Sequence, residues 1–296
     1  MIAAVLGGKS FRHGLKLYMD KHKYKNTETY HLWDCWEEAS KGLPIGELMN
    51  SWTEQCGFPL LSVVEEEWKE NEVKLKLQQT WFLSDGSYDK KNDRKLWCIP
   101  VFFLSNSGLL SSVTWIREEF CSVVIPISKT GYIKLNGNHE VPMRVRHTDT
   151  MIKRMETSIM NKTMPVADRG GLLLDNYALL KAKMLDSPRE LLNLLSFYRN
   201  ETNPIVWQSI SSILVTLKSF TSQISVNVHE LFRQFAKKMI LPLVDLVGWT
   251  PVPGEDHSTL LLRGTMVSLL ASFCYGTFLF IISYISDKMI LTKAIR

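Results

Sequence analysis

The sequence lacks the motifs of the common zinc, nucleotide and hydrolase sites. No H-E-x-x-H zinc motif, G-x-S-x-G nucleophile elbow, P-loop or G-x-G-x-x-G fingerprint occurs among its 296 residues. His139-Glu140 continues as Val-Pro-Met and His229-Glu230 as Leu-Phe-Arg, so each lacks a second histidine one helical turn later. We therefore assign no catalytic residue, no cofactor-binding residue and no metal ligand to this chain.

Cysteine is also scarce and gives no pattern. The chain has 5 cysteines, which are widely spaced and contain no C-x-x-C pair. This spacing argues against a disulfide framework and a cysteine zinc site, and buried free thiols are expected. The five are Cys35, Cys56, Cys98, Cys121 and Cys274.

The charge shows little excess of one sign. The 35 Lys and Arg residues against 30 Asp and Glu give a net charge of +5, and the lysines are interleaved with acids and aromatics. Such runs are typical of solvated surfaces, so no nucleic-acid partner is expected. The N-terminal MIAAVLGG has no basic segment before it, which argues against a signal peptide.

One long apolar segment is present near the C-terminus. Residues 264–286 contain no charge, and the segment is long enough to cross a bilayer as a transmembrane helix. In that case Lys288, Lys293 and Arg296 after it favour a cytoplasmic C-terminus. The sequons at Asn161 and Asn200 would then lie on the lumenal or outer side. The alternative is a buried helix of an all-helical domain, because hydropathy alone does not separate the two.

Hydrophobic periodicity predicts three helices in residues 8–56. Ser10 is expected to cap the first helix and Thr27 the second. The third is expected to begin near Pro44 and to end at Gly57 in a left-handed conformation. The apolar face of this third helix carries Ile45, Leu48 and Trp52.

Residues 58 to about 145 change to a strand pattern. β-branched and aromatic runs alternate with polar turns, and Val73, Leu75 and Leu77 alternate with lysines. Such a series predicts a small β-sandwich. The runs are FPLLSVV, EVKLKLQQTWFL, LWCIPVFFL, VTWIREEFCSVVIPI and GYIKLNG.

The helical period returns from about residue 150. Ser187 and Glu190 form a capping box around a proline, and Asn203 precedes a second helix-starting proline. A further helix is expected to begin at Asn227 and to end near Gly248. Short helices in succession are typical of antiparallel pairs stacked as a curved array.

A dense pattern of specific residues runs from residue 11 to residue 59. It combines F-x-x-G-L-x-x-Y, H-x-Y-x-N, L-W and M-x-x-W-x-x-Q-x-G-F-P in that order. This block resembles the junction between the catalytic domain and a β-sandwich in puromycin-sensitive-aminopeptidase-like zinc aminopeptidases, the gluzincin family. The matching residues are Phe11, Gly14, Leu15, Tyr18, His22, Tyr24, Asn26, Leu32, Trp33, Met49, Trp52, Gln55, Gly57, Phe58 and Pro59.

The resemblance continues more weakly to about residue 272. YIKLN is similar to the strand that precedes the family's helical domain. The family usually has a glycine and aromatics before the position of Arg144, where this chain has Val-Pro-Met. The matching residues of the helical part are Asp168, Arg169, Gly171, Asp175, Trp207, Trp249, Gly254, Leu262 and Arg263.

This resemblance implies a multidomain α+β chain, truncated at both ends relative to the family. Residues 1–57 are expected to be the helical end of a peptidase catalytic domain and residues 58–148 a small β-sandwich. Residues 149–272 are expected to form an incomplete α-helical domain of the HEAT-like, α-solenoid kind, followed by the apolar segment 264–286.

The resemblance also implies part of a zinc metallo-aminopeptidase that removes N-terminal residues from peptides. The family's zinc ligands, exopeptidase loop and proton-donating tyrosine align upstream of Met1, so this chain alone is expected to hold no zinc and to be inactive.

The partners implied are peptides, through the parent enzyme, and the catalytic domain or another protein through the surface of residues 1–57. The family implies a cytoplasmic location. The alternative is a non-catalytic paralogue that binds peptides or partners and is tethered to a membrane through residues 264–286.

Overall fold

A computed structural model describes residues 1–87, 89 and 94–273 of the chain. Within these residues the fold is α+β, with helices at both ends and strands between them, as the sequence predicts. The chain divides into two compact units. Unit 1 is Met1–Glu156 with Leu174–Glu190, and unit 2 is Thr157–Leu173 with Leu191–Arg296.

Unit 1 begins with α1 (Ile2–His22), α2 (Thr29–Ala39) and α3 (Ile45–Thr53). α1 is interrupted at Gly7, whose φ of 70° and ψ of 153° are not helical. The prediction that Ser10 caps the first helix is wrong, because Ser10 lies inside the helical piece that follows Gly7. Ile2, Val5 and Leu6, in the piece before Gly7, pack in one cluster with the tryptophans of α2.

The predicted cap of α2 is wrong, whereas the predicted start of α3 is confirmed. Thr27 does not cap α2, because its hydroxyl accepts a hydrogen bond from the Tyr18 hydroxyl at 2.8 Å. Glu28 caps this helix instead, in a capping box with His31. Pro44 directly precedes α3 as expected, and Gly57 has a φ of 92°, although α3 already ends four residues before it.

The strands of unit 1 form three small sheets. The largest has the order β7-β2-β1-β9, in which β1 and β2 are antiparallel and β9 runs parallel to β1. The others pair β3 with β6, and β4 with β5 and β8. The strands are β1 (Pro59–Trp68), β2 (Glu72–Trp81), β3 (Ile99–Val101), β4 (Phe103–Ser105), β5 (Gly108–Leu109), β6 (Thr114–Ile116), β7 (Phe120–Pro126), β8 (Ile133–Leu135) and β9 (Arg144–Arg146).

Three helices follow β9 and carry residues of both units. They are α4 (Asp149–Met160), α5 (Val166–Lys181) and α6 (Pro188–Ser196). The predicted capping box of α6 is confirmed, since the Glu190 carboxylate accepts a 2.9 Å bond from the Ser187 amide and Ser187 Oγ accepts from the Arg189 amide.

The larger helices of unit 2 are α7 (Pro204–Ile224), α8 (Val226–Val247) and α9 (His257–Phe273), and they pack against one another. Asn203 caps α7 as predicted. The predicted start at Asn227 is wrong, because the extended Ser225 accepts a bond from the Val228 amide and so caps α8 two residues earlier. α8 ends before Gly248, as the sequence indicates.

The apolar segment 264–286 is described only in part. Residues 264–273 form the end of α9, and the rest lies outside the described residues. Among the helices that are described, none combines the length and the hydropathy needed to span a bilayer.

Candidate functional site

The F-x-x-G motif of α1 makes the contact between α1 and α2. A Cβ at Gly14 would overlap the indole of Trp36, so only glycine allows the two helices to come this close. The Trp36 Nε1 donates to the Phe11 carbonyl oxygen at 3.2 Å, and the two rings stack with centroids 5.3 Å apart. The motif therefore has a structural role.

The second motif, M-x-x-W-x-x-Q-x-G-F-P, joins α3 to the sheets of unit 1. The Trp52 Nε1 donates to the Cys98 carbonyl oxygen at 2.9 Å, and the Gln55 side chain donates to the Leu96 carbonyl oxygen at 2.8 Å. Gly57 lies against Trp81, whose indole leaves no room for a Cβ. These contacts give the tryptophan, the glutamine and the glycine of the motif structural roles.

A second group of polar side chains in unit 1 is buried. We call it the buried polar cluster, and it consists of Lys134, Asn136, Arg144, His147 and Asp175. It brings together β8, β9 and the part of α5 that belongs to unit 1. Four of its side chains are buried, and only the Arg144 side chain is partly exposed, at 29%.

The central pair of the cluster is Arg144 and Asp175. The Arg144 guanidinium donates to the Asp175 carboxylate at 3.2 Å, across 31 residues of sequence. Burial is the largest influence on this carboxyl and raises the pKa of Asp175 to about 6, although Arg144 and Lys134 act in the opposite direction. Asp175 therefore changes protonation state near pH 6 in the folded chain.

The remaining members satisfy backbone groups. The Lys134 ammonium donates to the carbonyl oxygens of Leu135 and Asn136 at 3.1 and 3.0 Å. The His147 Nε2 accepts from the Leu135 amide at 3.1 Å, which places the ring proton on Nδ1. Burial, assisted by the charge of Lys134, lowers the pKa of His147 to about 3, so this imidazole is neutral in the folded chain.

A surface pocket of about 250 Å³ adjoins the exposed side of the cluster. It is lined by Phe58, His139, Pro142, Met143 and Arg144. A guanidinium beside an aromatic and apolar wall can bind a carboxylate group. The pocket contains no nucleophile paired with a base, so its chemistry is that of binding.

His139 and His229, the two histidines that are each followed by a glutamate, lie in different elements. His139 ends a short 3-10 helix (Gly137–His139), and His229 lies in the first turn of α8, 3.2 Å from the Thr221 hydroxyl. Throughout the described residues, no group of three or more His, Cys, Asp or Glu side chains could hold a metal ion. The donor set of this part of the chain does not fit a zinc centre.

Unit 2 contains two ion pairs that involve arginines singled out by the resemblance. Arg169 pairs with Glu201 through Nε at 2.7 Å, and both side chains are almost fully buried. Arg263 pairs with Glu255 and also donates to the Val247 carbonyl oxygen. Both arginines therefore hold the helical packing together.

Sequence reasoning missed Lys134 and Glu201. A single charge between apolar residues, as in YIKLN, is the local sign of a buried lysine, but the same pattern is typical of an edge strand. Glu201 has no local sign of burial in the sequence, where it is the middle residue of the Asn200 sequon. Its carboxylate accepts bonds from the amides of Thr202 and Asn203 as well as from Arg169.

The expectation of buried thiols is confirmed at two positions and wrong at a third. Cys35 and Cys98 are buried, and burial raises the pKa of Cys98 to about 11. Cys56 is exposed, because it lies in the turn between α3 and β1, and Cys121 is partly exposed. Cys274 lies outside the described residues.

Two family domains match this chain. Residues 1–52 match the peptidase family M1 domain, and residues 132–277 match the ERAP1-like C-terminal domain. The chain therefore belongs to the M1 aminopeptidase family, which confirms the resemblance found in the sequence.

Individual relatives agree with this assignment. Aminopeptidase M1-A of Oryza sativa subsp. japonica is 31% identical over 92% of the chain, which covers 30% of that protein. Puromycin-sensitive aminopeptidase of Caenorhabditis elegans is 29% identical over 92% of the chain and 28% of its own length. Glutamyl aminopeptidase of Homo sapiens is 29% identical over 88% of the chain, which covers 26% of that protein. The chain thus spans less than a third of the length of these relatives.

Proposed function

We propose that this chain forms a non-catalytic part of a zinc aminopeptidase that removes N-terminal residues from peptides. In this proposal residues 58–148 supply a β-sandwich, and residues 149–272 supply part of a HEAT-like helical domain. The observation that carries the proposal is the alignment of 92% of the chain with aminopeptidases over only 30% of their length.

The geometry supports a scaffold role. Matched motif residues of unit 1 hold its elements together: Gly14 lets α1 approach α2, and Trp52 and Gly57 join the end of α3 to the strand region. Those of unit 2 form buried ion pairs. None of these residues is arranged as a nucleophile with a base, or as a ligand set for zinc. Zinc chemistry is accordingly assigned to sequence other than that of this chain.

The experiment is a zinc determination together with an aminopeptidase assay on the purified 296-residue chain. We expect far less than one zinc per chain and no release of amino acids from aminoacyl chromogenic substrates. A full-length relative, such as the rice aminopeptidase M1-A, serves as the positive control. One tightly bound zinc per chain with turnover would overturn the proposal.

A second candidate is a non-catalytic paralogue that binds peptides or partners. The binding character of the pocket at Arg144 favours it. The sequence of the transcript upstream of the Met1 codon discriminates between the two. An in-frame H-E-x-x-H motif there supports the peptidase, and an in-frame stop codon with no such motif supports the paralogue.

Two further properties belong to the same proposal. The surface of residues 1–57 is proposed to contact a catalytic domain, because the peptidase family M1 match covers residues 1–52. The location is proposed to be cytoplasmic, which fractionation of cells that express the tagged chain tests. Recovery of the chain in the membrane pellet after a carbonate wash would contradict this location.

A further inference from the structure

Cys56 and Lys95 form a close pair of nucleophilic side chains in unit 1. The Lys95 Nζ lies 3.0 Å from the Cys56 Sγ, and it also donates to the Cys56 carbonyl oxygen at 3.2 Å. The same ammonium lies 3.4 Å from the centroid of the Trp81 ring. Three contacts thus position the lysine, while the cysteine remains exposed to solvent.

The backbone on both sides of the pair is held by hydrogen bonds. Gln55, next to Cys56, donates to the carbonyl oxygen of Leu96, which is next to Lys95. The Trp52 Nε1 donates to the Cys98 carbonyl oxygen in the same region. The approach of sulfur to nitrogen is therefore imposed by the junction between α3 and β3.

The electrostatics favour the reactive form of the sulfur. The hydrogen bond and the charge of Lys95 hold the pKa of the Cys56 thiol below its usual range. An ordinary thiol is only a few per cent thiolate at pH 7, and the thiolate is the species that hydrogen peroxide oxidises. Burial has the opposite effect at Cys98, which makes that thiol inert.

We propose that Cys56 and Lys95 form a reversible sulfenamide cross-link when the chain meets hydrogen peroxide. In the first step the thiolate attacks one peroxide oxygen and the O–O bond breaks. The hydroxide that leaves takes a proton from the Lys95 ammonium and departs as water. Sulfur is oxidised to a sulfenic acid, the peroxide is reduced, and a neutral amine is left beside the sulfur.

In the second step the Lys95 amine attacks the sulfenic sulfur. An S–N bond forms and the S–O bond breaks, and the hydroxyl group leaves as water with one proton of the amine. The pair thus consumes one peroxide and releases two waters. The observed 3.0 Å separation lies within the range of about 3–3.5 Å at which reacting atoms are aligned for attack. A dithiol reverses the reaction, because it returns thiol and amine and becomes a disulfide.

The experiment treats the purified 296-residue chain with hydrogen peroxide, without thiols, and maps its peptides by mass spectrometry. We expect a linked pair of peptides that contain Cys56 and Lys95, lighter by two hydrogens than the sum of its parts. Dithiothreitol should separate them, and the link should not form in urea. Cys121, which is partly exposed, is the internal reference and should form no link.

Two variants test the role of the amine. Lys95→Met is expected to slow the oxidation of Cys56 by about tenfold, because the thiolate loses its ammonium. Lys95→Arg keeps the positive charge, so Cys56 should oxidise at the wild-type rate without forming a link. Cys56 that proceeds to sulfinic acid in the wild-type chain, or a link that forms equally in urea, would overturn the proposal. Wild-type oxidation kinetics in Lys95→Met would also overturn it.

Discussion

Among single residues, Asp175 and His147 give the buried polar cluster its response to pH. Both are buried in unit 1, and burial pushes their pKa values in opposite directions because it opposes the charged form of each. The folded chain binds the Asp175 proton more tightly than the unfolded chain does. It binds the His147 proton less tightly.

Replacement of Asp175 by Asn isolates one of these effects. With a pKa raised from 3.8 to about 6, Asp175 lowers the free energy of unfolding as pH rises through this window. The variant loses this penalty, so between about pH 4 and 6 its stability should rise relative to wild type by about 3 kcal/mol. Urea unfolding of both proteins at each pH measures the difference.

The control for this prediction is Asp186→Asn, because the Asp186 side chain is 91% exposed. It should leave the wild-type pH profile unchanged. His147, with its pKa lowered to about 3, makes the chain less stable as pH falls below about 6.5 in both proteins, so its effect cancels in the comparison. Parallel profiles for Asp175→Asn and wild type would show that burial does not raise this pKa.

At the scale of elements, the turn from α3 to β1 depends on Gly57. Gly57 and Gly42 have the same φ of 92°, but only at Gly57 would a Cβ meet a neighbour, the Trp81 indole. Alanine at either position should cost about 1–3 kcal/mol of backbone strain. Gly57→Ala should cost about 1–3 kcal/mol more through the clash. Equal losses of unfolding free energy in Gly57→Ala and Gly42→Ala, measured with urea, would show that the Trp81 indole moves aside without an energetic cost.

In unit 2, the buried ion pair of Arg169 and Glu201 joins α5 to the segment that precedes α7. Glu201→Gln leaves the guanidinium buried without its counter-charge and should cost about 3–5 kcal/mol. Glu230→Gln breaks the partly exposed pair with Arg233, in which the Glu230 side chain is 45% exposed, and should cost only about 0–1 kcal/mol. Hydrogen exchange of the peptides of α7 measures the loss within unit 2. Similar protection in both variants would contradict the structural role of the pair.

At the scale of the whole molecule, the described part of unit 2 exposes a group of apolar side chains. Phe220, Ile224, Val226 and Leu231 lie around the turn between α7 and α8 and are 56–89% exposed. Such a patch favours association. We therefore expect the purified chain to form oligomers, which light scattering after gel filtration detects.

The variant pair Phe220→Ser with Ile224→Ser should shift the measured mass toward that of one chain. Tyr24→Ser with Tyr30→Ser changes exposed aromatics of residues 1–57 and serves as the comparison. A larger effect of the tyrosine pair would place the association surface in unit 1. A single chain mass for the unmodified protein would contradict the prediction.

The sequence by itself determined the order of helices and strands, several caps and the family of this chain. The Ser187 capping box, the Asn203 cap and the alternation along β2 are local signals, since each depends on residues a few positions apart. The predicted caps at Ser10, Thr27 and Asn227 are wrong, because Ser10 lies inside a helical piece and because Glu28 and Ser225 cap the other two helices.

Only the tertiary structure decided which distant side chains meet. Arg144 lies 31 positions from Asp175, and Cys56 lies 39 positions from Lys95, so no periodicity connects them. Burial, which sets the pKa values of Asp175 and His147, also depends on elements packed from other parts of the chain. Local propensity therefore specifies the elements, whereas the chemistry of the cluster and of the cysteine–lysine pair arises from packing.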